Sequence, residues 1–233
     1  MNFWSCQIRV ISAGTNSAPI AEFVLAALLA NVKHLPEIWI SDASDWKLKD
    51  LGTLSGKILG LVGYGSIGQA IAARALPFGV EILATTRTKN SGSEENGVRF
   101  APLEDVLAQA DHLIIAAPLT AETSGLIGRA AFAGVKPGVH LVNISRDRIV
   151  DHDALLEALD AGQVGAATLD VTAPEPLPAG HPLYNHSGAR ISPHLSWSDG
   201  QRGRSSAAFF AANLKRFIAG ETLEGLVNPQ AGY

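Results

Sequence analysis

Runs of consecutive apolar, β-branched residues alternate along this chain with alanine-rich stretches whose apolar positions recur every three or four residues. The first kind of run is too apolar for a half-exposed strand and reads as strand buried on both faces, whereas the second reads as helix. Strands are predicted over residues 8–12, 57–63, 80–87, 112–117, 140–145, 165–171 and 189–192. Helices are predicted over residues 18–34, 66–77, 103–110, 151–161 and 201–219. Strand and helix alternate almost from end to end, the pattern of a parallel sheet joined by crossover helices. The predicted fold is therefore α/β, a doubly wound parallel sheet. Residues 41–56, which carry Trp46 and several charges but little periodicity, are expected to be an exposed connection, and residues 90–97 a surface loop.

Composition narrows the class of partner. With 47% hydrophobic and 17% charged residues, the chain can bury a core, which excludes disordered and fibrous classes. Its 233 residues allow one large domain or two small ones. A net charge of −4 without Lys/Arg runs argues against nucleic acid or an anionic membrane surface as the main partner and favours small molecules. The single Cys6 can form no internal disulfide, and no metal-ligand spacing is present. Arg9, Pro19 and Glu22 break up any secretory signal, and the apolar run 24–30 is far shorter than the roughly 20 residues that span a bilayer. The expectation is a cytoplasmic protein with no metal, nucleic-acid or membrane partner.

One loop carries specific chemistry. Gly63-Tyr64-Gly65-Ser66-Ile67-Gly68 forms G-x-G-x-x-G between a predicted buried strand and a predicted helix. In a dinucleotide-binding loop Gly63 permits a tight turn, Gly65 lets backbone approach a pyrophosphate, and Gly68 allows close packing, with the helix N-terminus facing the anion. An ordinary glycine-rich turn is the plainer alternative. About 20 residues further on, where a carboxylate would bind the ribose hydroxyls of NAD(H), the chain has Thr85, Thr86 and Arg87. A hydroxyl and a guanidinium there suit a 2′-phosphate, so NADP(H) is favoured, with NAD(H) as the second possibility.

Downstream, Leu141-Val-Asn-Ile144-Ser145-Arg146, Leu169-Asp170-Val-Thr-Ala-Pro-Glu175 and Ile191-Ser-Pro-His194 each lie at or just past the end of a predicted strand. Together with the glycine loop and Ala117-Pro118-Leu-Thr-Ala-Glu-Thr123, they make five motifs in order. From about residue 21 to 228 the sequence resembles the D-isomer-specific 2-hydroxyacid dehydrogenases, of the glyoxylate or hydroxypyruvate reductase kind. The resemblance implies hydride transfer between NAD(P)H and a small 2-keto or 2-hydroxy acid. It casts Arg146 as the anchor of the substrate carboxylate and His194 as general acid in reduction and base in oxidation. Glu175 would hydrogen-bond His194 and favour its protonated form, and Asp170 would sit near the nicotinamide. The cofactor would also meet Thr86, Arg87, Ala117, Pro118, Thr123, Ile144, Ser145, Arg146 and His194.

Plainer roles remain open for each: Arg146 could pair with Asp147 or Asp151, Glu175 could be loop surface, and His194 could be structural. Trp197 could wall the substrate pocket or pack on the core. His34, His112, His140, His152, His181 and His186 read as helix-end, strand-edge or loop residues without a role.

By the same resemblance, residues 1–17 would be a remnant of a substrate domain, 18–197 the dinucleotide-binding domain, and 198–233 a helix that ordinarily packs on the substrate domain. Most of that first lobe would be missing, and Asp147 stands where the family has a glycine after the arginine. Both departures bear on activity and leave a second reading, a non-catalytic nucleotide-binding or assembly module. The apolar faces of helices 18–34 and 201–219 need cover, which points to a homodimer.

Overall fold

In the computed structural model, which describes residues 10, 14–200 and 204–226, the alternation of strands and helices closes into one sheet with helices on both faces. The chain runs through α1 (Ser17–Val32), β1 (Ile58–Val62), α2 (Ser66–Ala75), β2 (Glu81–Thr85), β3 (Glu94–Glu95), β4 (Val98–Phe100) and α3 (Leu103–Gln109). It continues through β5 (His112–Ile115), α4 (Arg129–Gly134), β6 (Val139–Asn143), α5 (His152–Asp160), β7 (Val164–Leu169), β8 (Ala189–Ile191) and α6 (Arg204–Ala219). Strand order is β3-β4-β2-β1-β5-β6-β7-β8, and every pairing except β3 with β4 is parallel.

Successive side chains of the central strands face opposite ways, so each strand feeds two cores. On one face Leu59, Leu61, Ile114 and Val142 pack with Ile20, Val24 and Leu28 of α1 and Ile71 of α2. On the other, Leu113, Ile115, Leu141 and Leu169 pack with Val106 of α3, Phe132 of α4 and Leu155 of α5. This two-sided burial is why the strands read as unbroken apolar runs. It also shows that α1 buries its apolar stripe within its own chain.

The structure adds elements that the sequence reading missed. Residues 90–97 are not simply loop, because β3 and β4 form a hairpin turned by Asn96 and Gly97, both at positive φ. An Asn-Gly pair is the strongest short hairpin signal, but three residues of strand on one side and two on the other were too short to show a period. The six-residue α4 escaped for the same reason. The predicted strand 8–12 and the start of the predicted helix 201–219 lie largely outside the described residues; Val10 makes an antiparallel bridge to Leu226. Of residues 41–56, expected to be an exposed connection, all are exposed except Leu54, which is buried in the core beside β1 and α2. No helix among the described residues is long and apolar enough to cross a membrane.

Two histidines require a correction. His112 and His140 are not strand-edge residues; they sit opposite each other on β5 and β6 and are buried. Their Nδ1 atoms are 3.3 Å apart, and His140 Nε2 lies 3.0 Å from the Thr168 hydroxyl on β7. Mutual hydrogen bonding makes the burial tolerable for neutral rings. Burial pushes His112 down to about 4, with neighbouring Asp111 opposing and Lys57 assisting. His140 is pushed down to about 3 by burial, then by His112 and Arg190. Because both folded values lie below the ordinary 6.5, the unfolded chain takes up protons first. Their stabilisation is therefore complete above about pH 6.5 and is lost progressively as pH falls toward 4. Urea unfolding at about pH 7 and about pH 5 should show lower stability at the acid pH, and His140→Gln should blunt the loss.

Candidate active site

A single row of paired residues crosses the sheet near the carboxyl ends of its strands: Thr85, Val62, Ile115, Asn143, Leu169 and Ile191. Parallel pairing brings the residues that follow each of these to one edge. Those residues are Thr86 and Arg87, Gly63, Ala117 and Pro118, Ser145 and Arg146, Asp170, and the loop to His194. Ligands of open α/β sheets bind at such an edge.

The β1–α2 loop has the shape that a pyrophosphate requires. Gly63 has φ +104, and a Cβ there would lie 2.7 Å from the Ala117 nitrogen. A Cβ on Gly68 would lie 2.6 Å from the Gly63 carbonyl oxygen, so helix and loop touch backbone to backbone. Gly65 differs, because a Cβ there meets nothing within 4 Å. The protein's own packing makes no demand for glycine at 65, whereas close approach by a ligand would. Ser66 and Ile67 open α2, whose first turn has no side-chain cap, leaving its amides directed at that space. Tyr64 turns inward, buried edge-on against Phe100 with ring centres 5.1 Å apart. Thr123 donates to the Pro118 carbonyl at 2.7 Å and so folds the β5–α4 loop.

At the other end of the row stand the three residues with candidate catalytic roles. His194 Nδ1 lies 2.9 Å from Glu175 Oε2, and both side chains are about two-fifths exposed. Glu175 is aimed by its other oxygen, which accepts the Thr172 amide at 3.2 Å, while the Thr172 hydroxyl donates to the Pro174 carbonyl at 3.0 Å. His194 adopts φ +51, in the left-handed region that few non-glycine residues visit. Asp170 holds it there. This fully buried carboxylate accepts from the Ser192 hydroxyl at 2.6 Å and from the Leu195 and Ser196 amides at 2.9 Å each. The Trp197 indole donates to the His194 carbonyl at 2.8 Å and stays exposed, so it braces the loop and is not core.

Arg146 takes part in none of the ion pairs among the described residues, including those with Asp147 or Asp151 that the sequence allowed. Its guanidinium is exposed and donates to the Ser145 carbonyl at 2.7 Å. The turn beneath it is pinned by buried Asn143, which accepts the Ser145 amide at 3.2 Å and donates to the Arg146 carbonyl at 3.3 Å. Ser145 donates to the Ala117 carbonyl, tying the turn to the β5 end, and Ile144 is core. A cavity of about 470 Å³ opens beside the His194–Glu175 pair, walled by Asp170, Leu177, Leu183 and Ile191. Sequence reasoning missed Asn143, Thr172 and Ser192; Asp170, expected near the nicotinamide, is hydrogen-bonded to the His194 loop. An Asn inside an otherwise apolar strand was the available signal for the first.

The family model for the D-isomer specific 2-hydroxyacid dehydrogenase NAD binding domain matches residues 25–196. The chain is 37% identical over 222 residues to glyoxylate/hydroxypyruvate reductase B of Pectobacterium atrosepticum, covering 91% of this chain and 68% of that protein. It is 36% identical over 221 residues to glyoxylate reductase of Pyrococcus furiosus, covering 90% and 66%. The chain thus spans about two thirds of the length of these curated relatives. A crystal structure of a D-isomer specific 2-hydroxyacid dehydrogenase from Xanthobacter autotrophicus Py2, in complex with NADPH and MES, superposes with a TM-score of 0.87. That match has 28% identity and covers 100% of this chain and 97% of the other.

Asp170→Asn replaces one acceptor with a donor facing donors. It should lower the unfolding free energy in urea by about 2 kcal/mol. It should also shift the His194 ring resonances in nitrogen-15 NMR, which a remote packing defect would leave in place.

Proposed function

Because the chain belongs to the D-isomer specific 2-hydroxyacid dehydrogenases, through their NAD-binding domain, we propose that it reduces a small 2-keto acid of the glyoxylate or hydroxypyruvate kind. The observation that carries this reading is the His194–Glu175 pair, held at 2.9 Å on the same sheet edge as the glycine loop. The glycine loop and the uncapped first turn of α2 would hold the pyrophosphate. NAD(P)H, when bound, supplies the hydride.

The remaining work falls to side chains of this chain. Arg146 presents a planar fork that can grip the substrate carboxylate through two parallel hydrogen bonds and draw density from the neighbouring carbonyl. His194, protonated, gives its Nε2 proton to the carbonyl oxygen as that oxygen gains charge. Glu175 accepts the Nδ1 proton in a hydrogen bond, which keeps Nε2 as the face that exchanges a proton with substrate. In oxidation the same Nε2 takes the proton from the hydroxyl group. Asn143 and Asp170 act at one remove, fixing where Arg146 and His194 stand.

NADP(H) is the favoured cofactor in this reading. Thr86 and Arg87 directly follow β2, and the β2 end itself carries no Asp or Glu to meet a ribose 2′-hydroxyl. The chain also acts as a homodimer. Trp39, Trp46 and Leu48 are 73%, 81% and 103% exposed on one extended segment, an apolar area that a second copy would cover.

Two measurements test these statements. The purified chain should oxidise NADPH with glyoxylate or hydroxypyruvate, and His194→Ala should lower turnover about 10³-fold while leaving NADPH affinity nearly unchanged. Turnover that survives the substitution would overturn the assignment. In sedimentation equilibrium the chain should run at about twice 24.4 kDa, and Trp39→Glu with Trp46→Glu should return it to monomer.

A further inference from the structure

The mouth of the glycine loop is spanned by an ion pair for which hydride transfer has no use. Strands β2 and β5 flank β1, so the loops that leave them stand on either side of Gly63. From the β5 side, Glu122 Oε2 reaches to 3.9 Å from Arg87 Nη1 on the β2 side. The contact is preset. The same Oε2 accepts the Thr120 hydroxyl at 2.6 Å, and the Thr120 amide donates to the Thr123 hydroxyl at 2.7 Å. The Thr120 hydrogen bond holds the Glu122 carboxyl below its ordinary range, with Arg87 a smaller cause in the same direction. A fixed negative charge therefore faces the guanidinium that would meet a 2′-phosphate.

We propose that Glu122 is a specificity-determining residue, which sets the preference between NADP(H) and NAD(H) by competing with the 2′-phosphate for Arg87. The inference rests on the reading of Arg87 as the 2′-phosphate ligand. A phosphate with about −1.5 to −2 charges meets Glu122 twice, first as a rival for the guanidinium and then as a like charge beside it. A 2′-hydroxyl carries no charge and meets neither penalty. Lys89 stands in a parallel relation to Glu95 on β3, so a second cation near the β2 end also faces a carboxylate. The adenosine end of the cleft is thus nearly charge-balanced, and its preference for a dianionic group is moderated.

Isothermal titration of the full chain with NADPH and with NADH measures this directly, without turnover. Glu122→Gln should tighten NADPH binding about two- to fivefold, the scale of an exposed ion pair, and leave the Kd for NADH within about twofold. Thr120→Val, which frees Glu122 from its hydroxyl anchor, should give part of the same shift, and high salt should shrink both. In an Arg87→Gln background, Glu122→Gln should have no further effect on the ratio of the two Kd values. Unchanged NADPH affinity in Glu122→Gln, or equal changes for both cofactors, would overturn the role of Glu122 while leaving that of Arg87 intact. If Arg87→Gln leaves the wild-type ratio unaltered, the 2′-phosphate assignment itself fails, and this inference with it.

Discussion

A buried carboxylate organises the catalytic half of this molecule. Asp170 follows β7 directly and is fully enclosed, yet it accepts three hydrogen bonds from Ser192, Leu195 and Ser196. Enclosing a carboxylate is costly unless its acceptor sites are filled, and the backbone amides that fill them belong to the loop bearing His194. The requirement works in both directions. The loop satisfies the carboxylate, and the carboxylate fixes the backbone on both sides of His194.

The same division between buried support and exposed chemistry recurs at β6. Asn143 is enclosed and bonds to both sides of the turn, while Arg146 on that turn is exposed. In each case a buried polar group lies at or just past the end of a strand, and the group that must meet a ligand lies on the loop it holds. The apolar sheet supplies the rigidity, since its central strands are packed on both faces and cannot shift register without burying the wrong side chains. The pair formed by His112 and His140 fits the same logic, with two neutral rings meeting each other's needs inside the sheet.

At the cofactor half the controlling physics is different. There the groups are exposed, their interactions are weak one at a time, and charge balance decides. Gly65 presents bare backbone to open space, and the uncapped first turn of α2 adds amide dipoles that attract an anion of any kind. Arg87 and Lys89 add positive charge that Glu122 and Glu95 largely offset. Strong, unselective attraction to the pyrophosphate and weak, adjustable selection at the ribose are thus handled by separate parts of one edge.

Much of this was legible in the chain itself. Two-sided burial writes itself as apolar runs, so the five longer strands of the sheet, together with β8, and the helices between most of them were predicted within a few residues of where they lie. The glycine loop stood out because it follows a buried strand and opens a helix, whereas Arg146, Glu175 and His194 stood out through the family resemblance of motifs that follow strands. Short elements such as β4 and α4 left no period to detect. What the sequence could not express was who partners whom across distant segments. That Asp170 holds the histidine loop, that Glu122 faces Arg87 and that two histidines share a bond inside the sheet all depend on contacts between residues 22 to 35 positions apart. Local propensity and hydrophobic period act over a few residues, and they determined the strands and helices. Only the register of the folded sheet, which brings those segments within hydrogen-bonding reach, decided the chemistry at its edge.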